Sequence, residues 1–318
     1  MAAKAEIDSA MIITVIIPTY RRSEDLRRCL DALSIQVRLP DEVLVIVRES
    51  DEETNTFIQN FDRKQLPLRL VRVSISGQVA ALNAGLEEAC GGIIAILDDD
   101  TAPFREWLKH MEAHFAADTQ VGGVGGRDWQ PIERGNRKVV GKVQWFGRVI
   151  GNHHLGAGPP REVDILKGAN MGWRSDAIQG IRFDKRLRGS GVQQHNDMGF
   201  SLAVKNAGWK LIYDPEVAID HFPAPRIGEG QHHRGLFNAD EQRNSVFNET
   251  LNLLTYLPPL RRLFFLIWAF LIGTRAEPGP LQVPRLLARR EQNVWQRLLA
   301  TYSGRLSAVK FTCGRRKV

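Results

Sequence analysis

Three consecutive carboxylates, Asp98-Asp99-Asp100, follow directly on the apolar run Ile93–Leu97. Acids this close repel one another, and burying them unpaired would cost several kcal/mol each. A cation normally compensates such a cluster. Oxygen ligands in this arrangement suit Mg²⁺ or Mn²⁺, which complete their shells with substrate phosphates. The competing reading is a solvated acidic turn. Other groups with chemical potential are weaker. His110 and His114 lie four apart, but Glu112 is misplaced for a His-Glu-x-x-His metalloprotease pair, so a helix face is expected. Gly122-Gly123-Val124-Gly125-Gly126 lacks the Lys-Ser/Thr ending of a phosphate loop and reads as a close-packed strand and turn. His153-His154 and His232-His233 fall in loop-like stretches expected at the surface, with an active-site lid as the alternative for the second pair.

The elements that must position the triplet alternate. Ile12–Ile17, Val43–Val47, Leu68–Val73 and Ile93–Leu97 read as strands. Ser23 is placed to cap a helix whose Leu26, Cys29, Leu30 and Leu33 share a face, and Gln78–Ala89 reads as a second helix, stopped by Gly91-Gly92. Such alternation predicts an α/β fold, with a mostly parallel, Rossmann-like sheet flanked by helices. Ligands in these sheets bind beyond the carboxyl ends of the strands, which is where the triplet lies. Further on, Arg127–Arg161 reads as loops with a short strand or two, Asp197–Gly208 as a helix and Leu211–Tyr213 as a short strand followed by an Asp214-Pro215 turn. Val283–Leu306 carries apolar residues at helical spacing interleaved with arginines, a basic amphipathic helix.

The chain has 318 residues, 43% of them hydrophobic and 25% charged, a globular balance that excludes a disordered or collagen-like chain. Three cysteines, Cys29, Cys90 and Cys313, are an odd, widely spaced set that fits a reducing compartment better than a disulfide framework. The net charge of +7 is uneven: residues 261–318 hold twelve Lys/Arg against Glu277 and Glu291, which leaves the first 260 residues at −3. A basic C-terminal tail on a mildly acidic body points to an anionic surface. No secretory leader is expected, because the first apolar run follows Glu6 and Asp8. The longest uncharged apolar run, Leu263–Thr274, would span about 18 Å as a helix, too short to cross a bilayer of ~30 Å but able to lie in one leaflet.

The order of motifs adds a resemblance. Pro18-Thr19-Tyr20, Asn83-Ala84-Gly85, Asp98-Asp99-Asp100, Lys167-Gly168-Ala169-Asn170-Met171-Gly172-Trp173-Arg174, His195-Asn196-Asp197, Tyr213-Asp214-Pro215 and His221 occur in a sequence that resembles the family 2 inverting glycosyltransferases of the glycosyltransferase-A fold, over roughly residues 12–250. The resemblance implies roles position by position. Asp98 and Asp100 match the Asp-x-Asp element, the first contacting the donor ribose and the last binding the metal, Mn²⁺ or Mg²⁺, with Asp99 between them. His221 matches an additional metal ligand and Asp197 the catalytic base. Gly168, Ala169, Asn170, Met171, Trp173 and Arg174 match the segment lining the sugar and acceptor pocket. Pro18, Thr19 and Tyr20 match the first nucleotide-contacting loop, with Asn83 on the helix before the acidic strand. These roles agree with the chemistry: a metal stabilises the departing diphosphate, and a carboxylate must deprotonate the acceptor hydroxyl.

The chain departs from the family pattern at four places. Asn196 stands where Glu often precedes the base, and Leu82 where Arg often precedes the Asn-x-Gly. The second strand lacks the usual base-reading Asp, leaving Glu49 or Asp51 as substitutes. Asp240-Glu241-Gln242-Arg243-Asn244 replaces the Gln-x-x-Arg-Trp of processive polymerases, which predicts one sugar per acceptor. The expected organisation is a nucleotide-sugar-binding half over residues 1–110, an acceptor and catalytic half over 111–255, and a basic, membrane-associating tail over 256–318. The expected function is transfer from a nucleotide-diphosphate sugar to a saccharide or lipid-linked acceptor in surface polysaccharide or glycolipid assembly, on the cytoplasmic face of the membrane and without a nucleic-acid partner. A sugar-phosphate nucleotidylyltransferase is the alternative enzyme, although a Gly-rich loop after the first strand is missing. A nucleic-acid binder using the basic tail is the alternative outside enzymes.

Overall fold

The computed structural model describes residues 11–63, 65–130, 135–223 and 237–314; His232 and His233 lie outside them. The elements run β1 (Ile13–Thr19), α1 (Ser23–Ser34), β2 (Glu42–Arg48), α2 (Glu52–Asn60), β3 (Leu68–Val73), α3 (Gln78–Glu88), β4 (Ile93–Leu97), β5 (Thr101–Pro103), α4 (Trp107–Ala117) and β6 (Val121–Trp129). A hairpin of β7 (Lys142–Val143) and β8 (Val149–Ile150) follows, then β9 (Arg161–Val163), β10 (Asn170–Arg174), α5 (Asn196–Asn206) and β11 (Lys210–His221). Among the described residues, four α-helices follow: α6 (Ala239–Tyr256), α7 (Pro259–Leu271), α8 (Val283–Ala288) and α9 (Val294–Gly314).

The main sheet has the order β3-β2-β1-β4-β10-β6-β11-β5, with β9 also paired to β11. β1 to β4 are parallel, β10 runs antiparallel between β4 and β6, and β11 is parallel to β6. Period-two alternation sends Val15, Ile17, Val43, Val45 and Ala95 to one face, against α1 and α4. Ile16, Leu44, Ile46, Ile94 and Ile96 go to the other, against α3, α5 and α6. The carboxyl ends of β1, β2, β3, β4, β6 and β11 therefore share one rim, and the reversed β10 brings its amino end to the same place.

Several local expectations change. Ser23 does not cap α1. It is the first helical residue, and its hydroxyl donates to Glu53. The glycine run is the interior of β6, where Cβ atoms on Gly123 and Gly125 would collide with Trp173 and with the Asn170 carbonyl. The Asp214-Pro215 step is not a turn between elements but an irregularity inside the twelve-residue β11: five steps from Asp214 to Ile219 oppose two from Gly126 to Asp128. At that point Gly126 lies so near the Val217 carbonyl that a Cβ would come within 1.9 Å.

The expected helix over 283–306 is broken at Arg289–Asn293, where Arg290 and Asn293 both have positive φ. α9 packs along α6, with Gly304 against the Arg243 carbonyl and Ala308 in the core shared with α3 and α5. Arg305 is fully buried there, donating to the Ala269 carbonyl and paired with Glu277. Among the described residues, no helix is long and apolar enough to cross a membrane.

Candidate active site

A cavity of about 500 Å³ opens at the rim, within the range of small-ligand sites. Pro18, Thr19 and Tyr20 at the end of β1 line it, with Asp98, Asp99 and Asp100 at the end of β4. Its far wall comes from Ile46 and Arg48 on β2 and from Val73 and Ile75 at and beyond the end of β3. The start of α3 and Ser190, Gly191 and Val192 close another side; Gln78 donates its backbone N–H to the Gly191 carbonyl. The cavity is thus acidic at one end and largely apolar, with one arginine, at the other.

The triplet's repulsion is offset by Arg22, which bonds Asp99 at 2.9 Å and approaches Asp100 at 3.7 Å. Burial still pushes the Asp99 carboxyl up to about 7, Arg22 opposing it. Asp98, the more exposed member, accepts from the Gln78 side chain. Asp100 faces His221 at the end of β11, with Nε2 3.4 Å from Oδ1. The other imidazole nitrogen lies 3.4 Å from Asp128 at the end of β6, and Asp128 is also ion-paired with Lys167. Burial alone would lower the pKa of His221, but hydrogen bonds to Asp100 and Asp128 outweigh it and lift it to about 9. Burial likewise opposes the charge on Asp128, yet His221 and Lys167 hold its carboxyl far below the usual range.

The residues at this end fit a divalent cation. Two neighbouring ligands of an octahedral ion stand about 3 Å apart, close to the 3.4 Å between His221 Nε2 and Asp100 Oδ1. Asp128 Oδ1 is buried with no hydrogen-bond partner among the described residues, so the cluster has spare acceptor capacity. Among those residues, no group of three or more His, Cys, Asp or Glu is arranged to hold a metal ion by itself. One or two protein ligands supplemented by phosphates and water is the usual arrangement for Mg²⁺-like ions.

Asp197 lies in the first turn of α5, whose entry residue His195 adopts φ +66°. Its Oδ2 accepts from the Gly168 N–H at 2.9 Å and its Oδ1 from the Met198 N–H at 2.7 Å. Because Lys167 pairs with Asp128 and the next residue holds Asp197, a single dipeptide before β10 joins the His221 cluster to the candidate base.

Other expected site residues are placed elsewhere. Asn83 is buried, and its amide clasps both the N–H and the C=O of Phe183 at 2.9 Å. Glu49 is exposed and is not among the cavity's lining residues. Asp51 is buried as the cap of α2, accepting from the Thr54 and Arg21 N–H groups. Arg48 is the charged residue of β2 that lines the cavity, its guanidinium 4.8 Å from the Tyr20 ring centroid.

Of the segment expected to line the acceptor pocket, Gly168 touches Asp197, but Ala169, Met171 and Trp173 are core residues. Asn170 is spent on the Trp107 indole and the Val217 carbonyl. Arg174 pairs in register with Ile93 at the opposite end of β4 and fastens the Phe115, Asp118 and Val121 carbonyls. The reason is direction: β10 leads away from the rim, so each step along it moves ~3.3 Å from the site. His153 is buried, not at the surface, and bonds the Ile165 carbonyl; His114 pairs with Asp214. Asp128, Lys167, Arg22 and Arg48 were not singled out as site residues by sequence. The signal available for Asp128 was a charged pair, Arg127-Asp128, ending a glycine-rich strand.

A sequence model of glycosyl transferase family 2 matches residues 14–182. Glycosyltransferase AglE of Haloferax volcanii is 26% identical over 313 residues, covering 93% of this chain and 96% of that protein. The pre-mycofactocin glycosyltransferase of Mycobacterium tuberculosis is 26% identical over 212 residues, covering 66% of this chain and 42% of that protein. Among solved structures, S. aureus TarS in complex with UDP-GlcNAc superposes with a TM-score of 0.59 at 17% identity, over 91% of this chain and 79% of that one. The mannosyltransferase PcManGT of Pyrobaculum calidifontis, in complex with GDP-Man and Mn²⁺, gives 0.56 at 18% identity, over 95% and 87%. These likenesses select the transferase over the nucleotidylyltransferase. With more than half of its length matched by the family and its sheet shared with these enzymes, the chain belongs to glycosyl transferase family 2 and is a nucleotide-sugar glycosyltransferase of the glycosyltransferase-A fold.

Proposed function

We propose that the enzyme transfers one sugar, with inversion, from a nucleotide-diphosphate sugar to a hydroxyl of a saccharide or lipid-linked acceptor. The nucleoside occupies the end of the cavity walled by Tyr20, Ile46, Arg48, Val73 and Ile75, with Asp98 toward the ribose. The diphosphate lies at the Asp100 end, where Asp100 and His221 would hold Mn²⁺ or Mg²⁺. When bound, such an ion supplies positive charge against the diphosphate oxygen as the leaving bond breaks. Asp197 takes the proton of the acceptor hydroxyl. The hydroxyl oxygen attacks the anomeric carbon from the face opposite the diphosphate, and the bonding pair departs on the diphosphate oxygen. One base suffices, and the configuration inverts.

The observation that supports this reading is the Lys167-Gly168 link, in which one residue pairs with Asp128 of the His221 cluster and the next donates to Asp197. Transfer of a single residue is supported by Gln242, which stands near the place of the processive motif but is buried against the Thr301 hydroxyl and the Ala276 and Arg297 carbonyls. We place the work at the cytoplasmic face of an anionic membrane, in surface polysaccharide or glycolipid assembly, on the basic charge of residues 261–318. The test is a panel of nucleotide sugars scored by thermal shift with and without Mn²⁺, because a ligand that binds the native state raises Tm by mass action. Turnover of the stabilising donor and the anomeric configuration of its product then complete the assay. No shift with any nucleotide sugar, or a product of retained configuration, would refute the proposal.

A further inference from the structure

Helix α7 is apolar on both faces. Phe265 and Ala269 point inward, into a cluster with Ile165, Met198 and Leu253. Leu260, Leu263, Phe264, Ile267 and Leu271 recur at three- and four-residue spacing on the opposite side, and remain exposed: Leu263 at 54%, Ile267 at 48% and Leu271 at 49%. A soluble helix normally turns a polar face outward, and contiguous exposed apolar surface marks an interaction site.

The hairpin tip extends the same surface. Arg261 donates to the Val143, Gln144 and Trp145 carbonyls, and Gly147, at φ +88°, lies flat on Phe265. Trp145 is thereby held with its ring 5.0 Å from that of Phe264, yet 60% exposed. The fastening makes its exposure a built feature.

We propose that the outward face of α7, together with Trp145, docks on an anionic lipid bilayer. This goes further than the membrane placement above, on which it rests, by assigning the contact to one face of α7 and adding the hairpin to it. Charge selects the occupant. Arg261 and Arg262 border the stripe and donate to neutral backbone carbonyls, which leave both positive charges in place. Arg148 is exposed in the hairpin. A second copy of this surface would set arginines against arginines, whereas phosphodiester headgroups complement them. An apolar stripe with basic flanks and an interfacial Trp suits a helix lying in the plane of the membrane. The inner side of the same helix packs with Met198, the neighbour of Asp197, and with Ile165, two residues before Lys167. Docking there would bring a bilayer-borne acceptor to the side of the molecule that carries the base.

The test uses the full chain and co-sedimentation with vesicles of phosphatidylglycerol and phosphatidylcholine, or of phosphatidylcholine alone. The wild type is expected to bind the anionic vesicles. The variant L263Q/F264Q/I267Q, whose changes are all at exposed positions, and W145A are expected to lower the partition coefficient about tenfold or more. Both should keep the thermal shift given by donor and Mn²⁺. Absence of wild-type binding, or unchanged binding by the triple variant, would overturn the proposal. So would a dimer in sedimentation velocity that the triple variant converts to monomer without change in vesicle binding, since a second copy would then cover the face. If vesicle binding behaves as expected but no nucleotide sugar shifts any form, the docking surface stands and the transferase mechanism fails.

Discussion

The backbone N–H of Gly168 points at Asp197 Oδ2 from 2.9 Å, and a Cβ on that glycine would lie 3.6 Å from the same carboxylate. The proposed base is therefore oriented by main chain that belongs to the approach to β10, not by a side chain. Asp197→Asn keeps an oxygen for this hydrogen bond but cannot take a proton. It should lower kcat by about 10³-fold while leaving the donor-induced thermal shift unchanged. Single-turnover kinetics beside the shift assay separate the two effects.

Removal of divalent ions with a chelator should abolish transfer, and Mn²⁺ should restore it. Asp100→Asn and His221→Ala should each raise the Mn²⁺ concentration needed for half-maximal activity. Asp128→Asn should do so more weakly, because it acts by orienting His221. Metal titrations at saturating donor would measure the order, and full activity in chelator would remove the ion from the mechanism.

Arg48, not Glu49, lines the end of the cavity proposed to take the nucleoside. Arg48→Ala should raise the donor KM about tenfold, the size of one lost hydrogen bond to a charged group, whereas Glu49→Gln should leave it unchanged. Steady-state kinetics on both variants decide between the strand's two neighbouring residues.

Glu277 is half-buried beside Glu249 and Arg305. Burial and the neighbouring acid push its carboxyl up to about 8 from an ordinary 4.5, against the pull of Arg305. The folded form then binds more protons than the unfolded one between those values, so this group's contribution to stability is lost as pH rises from about 4.5 to 8. Glu277→Gln should flatten that slope. Arg305→Leu should raise the Glu277 pKa further and cost ~1–3 kcal/mol at neutral pH, because the buried Ala269 carbonyl loses its donor. Denaturant melts across the pH range would test both.

Asn83→Ala should cost ~2–4 kcal/mol by leaving the Phe183 N–H and C=O without their partner. The donor KM of the folded enzyme should stay the same. A raised KM with unchanged stability would return Asn83 to the binding site.

The sheet was legible because its inner strands are continuous apolar runs, and the partly alternating Leu68–Val73 and the apolar Ile93–Leu97 have the bounds that periodicity predicts. The triplet and Pro18-Thr19-Tyr20 were legible because a parallel strand must end where its apolar run ends. What escaped was direction and partnership. Nothing in Asn170–Arg174 says that it runs against its neighbours, so its residues were read as a pocket lining when four of the five lead into the core. Asn83 and Asp51 looked like ligands because the polar side chains that satisfy buried backbone are of the same types. Lys167 and Asp128 meet only through the strand order, which no local pattern encodes.

The irregularity inside β11 decides which way the His221 imidazole looks. Side chains alternate along a strand, so an odd number of additional residues turns over everything that follows. Between Asp214 and Ile219 there are three more steps than in the facing stretch of β6. Deleting one residue from Pro215–Ala218 would therefore rotate His221 to the far side of the sheet, away from Asp100 and Asp128, while leaving every residue of the site in the sequence.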